Sequence, residues 1–471
     1  MSSKSLAELT LHAIGGGWGD EQPGPGKVRV AVIRGTDIPR LRMGDSSSVP
    51  VRFESEVKVK NRLLQVGDIV IEVSGGSAAS GQHTGRSLLI TTELLQLLGG
   101  VVIPASFCRL LRLDAKEVDP GFVVRQIDAL HQTGEIAEFE NQSTGIANFQ
   151  FTRFVASTHP CIDGLASQQA INDCLTSFDQ QIALNRRINQ TLEAMAQAIF
   201  KSWFVDFDPV KAKVAAKAEG RDPLRAAMSA ISGKTVAELD ALPPEQRAQL
   251  AAKAVLFPDE MEESELGEIP KGWSVCGVPD CIEVNPSRTL KKGALAPYLD
   301  MANVPTHAAR VDNVVLRAFG SGSKFANGDT LLARITPCLE NGKTAYVDFL
   351  DEGQVGWGST EFIVLRPRAG LPLPFAYFLC RHPEFRSFAI SQMAGTSGRQ
   401  RVPNDCFGAY RLAKPSPGVA TAFGEQVTLF MRQIKAQDEG SKTLAEVRDA
   451  LLPRLLSGEL QVQNIDSEAA A

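Results

Sequence analysis

The chain has 471 residues, too many for one ordinary domain and suited to two or three. With 44% hydrophobic and 22% charged residues it can build packed cores, which excludes wholesale disorder. A formal net charge of −5 excludes a protein that coats nucleic acid indiscriminately, so any contact with DNA has to come from local basic patches.

The N-terminal stretch shows no basic segment followed by an uninterrupted apolar one, and nowhere is there a run of about 18 apolar residues. Neither secretion nor a membrane span is expected, and a cytoplasmic location is. Cys108, Cys161, Cys174, Cys276, Cys281, Cys338, Cys380 and Cys406 are scattered without a C-x-x-C pair, and the close pair Cys276 and Cys281 has no histidine nearby. Reduced thiols are expected, with no zinc site and no disulfide framework.

In chain order, the first recurring stretch is Thr36-Asp37-Ile38-Pro39, to which Ala302-Asn303-Val304-Pro305 corresponds in the second half. Gly67-Asp68 opens a strand expected over 66–73, and Gly328-Asp329 opens its counterpart over 329–335. Buried strands are expected over 106–113 and 360–365, and a helical stretch over 374–393. Near the middle, apolar residues fall at Ile182, Ile188, Leu192, Met195, Ile199 and Trp203; near the end they fall at Phe430, Ile434, Leu444, Val447, Leu451 and Leu455. This is a coiled-coil seam, interrupted by polar Asn185 in one helix and by Gln437 and Ser441 in the other. The segments 191–200 and 443–452 align, the order of elements is the same in both halves, and the drift in spacing is what loop insertions in one copy produce. Two unrelated amphipathic core helices are the plainer alternative.

The fold class is therefore mixed α/β: two globular parts in a pseudo-repeat, each followed by a long helix, the two helices pairing as a coiled coil. The expected division is a globular part over 1–165, a helix over 166–210 and a partly helical connector over 211–262. A second globular part over 263–418, a helix over 419–460 and a flexible tail over 461–471 complete it. The acidic run from Asp259 to Glu268 reads as a solvated face.

Enzyme signatures are missing. Asn341-Gly342-Lys343-Thr344 has the tail of a phosphate-binding loop but Pro337 where its leading glycine belongs. Asn285-Pro286-Ser287 starts like an adenine-methyltransferase motif but lacks the second proline and the aromatic residue. The glycines at 75, 76 and 81 lack dinucleotide spacing, and Asp45, Glu56 and Lys58 only approximate a nuclease metal site. No catalytic residue and no metal ligand are expected.

The stretch from Leu184 to Val210 resembles the central region of Type I restriction-modification specificity subunits, the HsdS family. Glu265–Trp273 resembles the start of their second half, Leu451–Leu460 their C-terminal end, and Val32–Pro39 a segment of their first half. The resemblance implies two target recognition domains, 1–165 and 263–418, each reading half of a bipartite double-stranded DNA target. It implies an antiparallel pair of helices as spacer, and no cofactor bound by this chain. Two modification subunits would supply S-adenosylmethionine and adenine-N6 methylation; two restriction subunits would supply ATP- and Mg2+-dependent translocation and cleavage. A fused enzyme or a protein-binding scaffold are the competing readings.

Two polar loops match the DNA-approaching loops of such domains. One holds Gln142, Ser143, Thr144 and Gly145; the other holds Gly395, Thr396, Ser397, Gly398, Arg399, Gln400 and Arg401. Arg334, Thr336 and Lys343 after the second Gly-Asp strand, and Ser74, Gly75, Gly76 and Ser77 after the first, form candidate neighbouring edges. The plain alternative for each is a solvated loop. Ile188, Leu192, Met195, Ile199, Trp203, Phe204, Leu444, Leu451 and Leu455 are expected to pair the helices or dock a partner subunit. For the aromatic end of the first helix, at 203–207, packing is the preferred reading.

Overall fold

The structure is a computed structural model that describes residues 4–75, 83–143, 146–162, 164–311, 313–396 and 398–462. The chain divides into two compact units, the first made of Met1–Asn185 with Gly440–Ala471 and the second of Arg186–Glu439.

In the first unit an antiparallel sheet runs in the spatial order Thr10–Gly15, Cys108–Leu113, Ile69–Glu72, Ser87–Leu89. A second sheet runs Val51–Ser55, Lys27–Ile33, Val102–Pro104, the last two strands being parallel. The second unit repeats both. Its first sheet runs Ile282–Val284, Phe362–Pro367, Thr330–Ala333, Thr344–Tyr346. Its second runs Val315–Ala318, Leu295–Leu299, Gly356–Gly358, Ser323–Phe325, and again the strands Leu295–Leu299 and Gly356–Gly358 are parallel. Within these four sheets only Ser323–Phe325 lacks a counterpart; the second unit also has the strand pairs Met261–Ser264 with Gly267–Pro270 and Ser274–Gly277 with Arg411–Lys414. The strands expected over 66–73, 106–113, 329–335 and 360–365 appear as Ile69–Glu72, Cys108–Leu113, Thr330–Ala333 and Phe362–Pro367.

The repeat extends to the turns. Gly67 and Gly328 sit at φ 89° and 88°, the left-handed position that a tight turn assigns to glycine. The aspartate after each is buried and accepts from the backbone three residues back, Asp68 from Gln65 N at 2.7 Å and Asp329 from Ala326 N at 2.8 Å. Each carboxylate also takes an arginine from the neighbouring strand: Arg112 Nε at 2.7 Å on Asp68, and Arg366 Nη1 at 2.7 Å on Asp329. Asp329 takes a second, Arg288, at 2.5 Å. A buried carboxylate without such partners would be expelled or neutralised, so each strand start is fixed together with its arginine.

The two long helices, Leu165–Phe204 and Pro417–Leu456, have 40 residues each, about 60 Å at 1.5 Å per residue. Both units contain part of each helix. In the first unit Ile171 and Leu175 pack with Leu452, Leu455 and Leu456, Asp179 pairs with Arg448 at 2.5 Å, and Asn185 Nδ2 donates to Ser441 Oγ at 3.2 Å. In the second, Asn189 Nδ2 donates to the Ile434 carbonyl at 3.2 Å and Phe200 lies 6.0 Å from Phe423, centroid to centroid. Within each unit numbers rise along one helix as they fall along the other, so the pairing is antiparallel. Asn185 is buried in the seam with Ser441 as its partner, the arrangement by which a polar seam residue fixes register.

The seam needs one correction. Met195 is 46% exposed and Val447 42%, whereas Ala196 is fully buried between Leu192 and Phe200. Ile188, Ile199, Leu444 and Leu451 are half-buried at its flanks. The apolar pattern favoured the larger Met195, but the helix turns the neighbouring Ala196 inward. The stretch 374–393 is two helices, Phe375–Arg381 and Pro383–Ser391, because proline removes a backbone donor and holds His382 extended. The connector is helical at Asp208–Ala218, Pro223–Ser232, Val236–Asp240 and Pro244–Val255. It has its own small core of Ala227, Met228, Leu239 and Ala254. Among the described residues no helix is long and apolar enough to cross a membrane.

Candidate nucleic-acid interface

Both candidate loops are built on the strand that leaves a Gly-Asp turn. In the second unit the strand Thr330–Ala333 continues into Arg334, whose carbonyl accepts from Val402 N at 2.9 Å and whose amide donates to the Glu361 carbonyl at 2.9 Å. Thr336 N then donates to the Gln400 carbonyl at 3.1 Å, and Thr336 Oγ1 accepts from Gln400 N at 3.1 Å. The loop closes on itself through the paired amides and carbonyls of Ala394 and Arg401, at 2.9 and 3.0 Å, and turns where Arg399 N donates to the Thr396 carbonyl at 2.9 Å.

In the first unit the same construction appears as a hairpin, Glu140–Ser143 with Ile146–Phe149. Phe149 N donates to the Val73 carbonyl at 2.9 Å, and Ser74 bridges Asn148 through its backbone and by an Oγ–Oδ1 hydrogen bond of 3.0 Å. The bridge between Ser74 and Asn148 is matched in the second unit by the one between Ile335 and Arg401. Both loops thus hang from the strand that follows a Gly-Asp turn. Ser77, Gly76, Thr144, Gly145 and Ser397 lie outside the described residues, as do the side chains of Gln142 and Ser143.

Side-chain positions divide the candidates into two groups. Arg399 and Thr396 are exposed and Gln400 is half-exposed at the loop surface. Arg401 is held by Glu361, with Nε at 2.9 Å from both carboxylate oxygens and Nη2 at 2.7 Å from one. Arg334 donates to the Val402 carbonyl at 2.7 Å, while its Nε is buried without a partner. Lys343 is a correction: its ammonium caps the carbonyls of Met301 and Ala302 at 2.6 and 3.3 Å, which occupies the charge internally. Arg334, Thr336 and Arg401 therefore hold the loop, and Arg399 with Gln400 present donors outward. An exposed guanidinium on a braced loop suits phosphate or guanine recognition.

Sequence reasoning missed the acid–base supports of the first unit. Glu72 ends the strand Ile69–Glu72, is buried, and accepts from Nε and Nη2 of Arg86, each at 2.7 Å. A Cβ on Gly35 would meet its oxygen at 2.2 Å, so any larger residue there would displace Glu72 from Arg86. Glu140 receives the amide and hydroxyl of Thr84 and, at 3.1 Å, Nδ1 of His83. Burial opposes its charge, but the hydrogen bonds from Thr84 and His83 outweigh it and hold the carboxyl below its usual range. These residues lie far apart in sequence and share no motif.

The discounted motifs have structural roles. Asn285, at φ 52°, accepts from Val364 N at 2.9 Å through its side chain and donates to the Val364 carbonyl at 2.7 Å through its amide. Gly342 closes a turn into the strand Thr344–Tyr346, where a phosphate loop would open a helix. The described residues contain no cluster of three or more metal-ligating side chains. The aromatic end of the first helix is packed, with Trp203 5.0 Å from Phe257 and Phe204 4.8 Å from Phe423.

No protein-family model matches the chain. It is 31% identical over 319 residues to the Type I restriction enzyme HindI specificity subunit of Haemophilus influenzae, covering 62% of this chain and 67% of that protein. It is 27% identical over 208 residues to the EcoEI specificity subunit of Escherichia coli, covering 43% of this chain and 35% of that one. It is also 24% identical over 313 residues to the MjaIX specificity subunit of Methanocaldococcus jannaschii, covering 63% of this chain and 60% of that one. The fold is similar to the crystal structure of a Type-I restriction-modification system S subunit from M. genitalium, at TM-score 0.50 and 13% identity, over 96% of this chain and 95% of that chain.

Proposed function

The chain belongs to the Type I restriction enzyme specificity subunits, and from that premise we propose that it reads a bipartite DNA target, one recognition domain to each half, without a catalytic site of its own. The observation that carries this reading is the repeated loop construction. Two polar loops are braced at equivalent places, by the Phe149–Val73 bond in one unit and the Val402–Arg334 bond in the other. Such a scaffold presents two different sequences of donors on one backbone plan, which is what two unequal half-sites demand.

On this reading Arg399 and Gln400 contact one half-site, and the hairpin Glu140–Ser143 with Ile146–Phe149, with Ser74 at its edge, contacts the other. The paired helices set the number of unread base pairs between them. Two modification subunits bind S-adenosylmethionine and methylate adenine-N6; two restriction subunits use ATP and Mg2+ to translocate and cut. Recognition domains over 1–165 and 263–418 are the working division.

The test is to express the chain with its modification subunit in a methylation-free host and map N6-methyladenine across the genome. A split motif with a fixed gap is expected. An unsplit motif, or no methylation from an assembled complex, overturns the bipartite reading.

A further inference from the structure

The second sheet of the second unit has a face that no hydrophobic core of the described residues uses. Residues directly opposite on neighbouring strands share a face. Ala296 lies opposite Arg317, Tyr298 opposite Trp357, and Lys324 opposite Trp357. The alternating residues Leu299 and Phe325 point the other way, into the core. Arg317, Tyr298, Trp357 and Lys324 therefore form one row across four strands. The Arg317 guanidinium sits 4.8 Å over the Tyr298 ring, the Tyr298 and Trp357 rings are 4.5 Å apart, and Lys324 lies 5.2 Å over Phe319, which itself packs on Trp357 at 5.3 Å.

Charge accumulates along the same sheet. The segments 284–299 and 313–328 contain Arg288, Lys291, Lys292, Arg317 and Lys324 and no acidic residue, in a chain whose formal net charge is −5. Arg288 is committed to Asp329. Lys291, Lys292 and Arg317 are exposed and form no ion pair with a described residue, whereas Lys324 Nζ donates to the Arg288 carbonyl at 3.0 Å. Lys291 and Lys292 stand on the turn at Gly293, φ 82°, where Gly293 N donates to the Phe319 carbonyl at 2.8 Å. Trp357 of the row stands four residues before the Glu361 that holds Arg401.

We propose that this face is a second DNA-contacting surface of the second unit, gripping phosphates beside the half-site that the Arg399 loop reads. It rests on the DNA-reading role proposed above. Three exposed cations outside any ion pair, on segments that carry no acidic residue, match a polyanion, and the stacked rings hold Arg317 in place so that little side-chain freedom is lost on binding. A protein partner would need a broad apolar centre, whereas this face exposes Val315, at 48%, beside Tyr298, and Trp357, the largest ring of the row, is 5% exposed beneath the cations.

The test uses the full chain assembled with its modification subunit. Binding to a duplex carrying the methylated motif, and to one of unrelated sequence, is followed by anisotropy over a range of KCl. The Lys291→Ala, Lys292→Ala, Arg317→Ala triple variant is expected to weaken both duplexes by a similar factor, about tenfold or more near 0.15 M salt. The salt slope should fall by about 0.9 for each phosphate that is no longer neutralised. Arg317→Lys, which keeps the charge, is expected to retain the wild-type slope and reports on folding. If the wild-type complex binds DNA and the triple variant binds with the same affinity and slope, the surface is overturned while the DNA-reading role stands. Loss of assembly with the modification subunit at unchanged DNA affinity also overturns it, by assigning the face to a protein. A wild-type complex that binds neither duplex overturns the DNA-reading role, and this surface with it.

Discussion

The two units lay the same two sheets in the same order, yet close one face differently. In the first unit the row Val30, Val32 and Ile103 lies under Val59 of the helix Glu56–Arg62 and forms a small closed core. In the second, the equivalent row is Arg317, Tyr298, Trp357 and Lys324, with cations over the rings. Arg52, which lies opposite Val30 as Arg317 lies opposite Ala296, is also stacked, 4.8 Å over Trp18, but it is paired with Glu21 at 3.3 Å. What the two units keep in common is what the backbone cannot do without: the glycine turn, the buried aspartate behind it and the arginine that neutralises it. What differs is what a face shows to its surroundings.

The largest effect should come from the shared element. Asp68 is neutralised by one arginine and Asp329 by two, so Asp68→Ala leaves one uncompensated cation and Asp329→Ala leaves two. Breaking a buried ion pair costs about 3–5 kcal/mol. Asp329→Ala is expected at or above that range and Asp68→Ala below it, because Arg112 is 27% exposed and water partly replaces its partner, whereas Arg288 beside Asp329 is 15% exposed. Hydrogen exchange resolved by peptide should show each loss confined to its own unit. Equal losses, or the reverse order, would mean that the turn itself, and not the number of arginines, sets the stability.

The next effect separates the loops. Arg399→Ala should cost about 1–3 kcal/mol of discrimination at one half-site and leave the other unchanged, as read from the methylated motif. Arg401→Ala should act differently. It frees Glu361 and slackens the loop, so affinity for that half-site falls for every sequence alike. If the two variants give the same altered motif, the division into presenting and bracing arginines is wrong.

Third, Val59→Ala should destabilise the first unit by about 2 kcal/mol, from lost methyl burial and a residual cavity. Arg317→Ala in the second unit should leave thermal stability almost unchanged, because its face closes no core. A comparable loss of stability in both variants would show that the cation row is structural.

Much of this comparison was legible in the sequence. Gly67-Asp68 and Gly328-Asp329 stand out because a left-handed turn and a buried acid permit few substitutes, and the helix seam because its period is long. The equivalence of the two loops followed from their order along the chain. Met195 and Ala196 could not be told apart by hydrophobicity alone, since both are apolar and only the facing surface selects the smaller. Whether an arginine presents or braces depends on an acid placed elsewhere, as Glu361 decides for Arg401 and Asp329 for Arg288. The cation row lies across four strands and becomes visible only when they are aligned.

The smallest effect is a pH dependence of opposite sign in the two units. Glu140 in the first unit is held below its usual range, since hydrogen bonds from Thr84 and His83 outweigh its burial. Its contribution to stability is present above the unfolded value of about 4.5 and is lost as pH falls through the folded value. Glu193 in the second unit is pushed up by burial, which the Tyr377 hydroxyl, the Ala309 amide at 2.9 Å and the Arg381 guanidinium only partly offset. The folded state therefore binds its proton more tightly, and the stability from it is present below the unfolded value and lost as pH rises through the raised one. Glu140→Gln should accordingly destabilise most at neutral pH and least in acid. Glu193→Gln, which keeps a neutral side chain of the same shape, should compare best with the wild type at neutral pH and lose that advantage in acid. Melting temperatures of both variants across pH 4–8 decide the matter, because parallel curves for the two would place the same balance of burial and hydrogen bonding in both units.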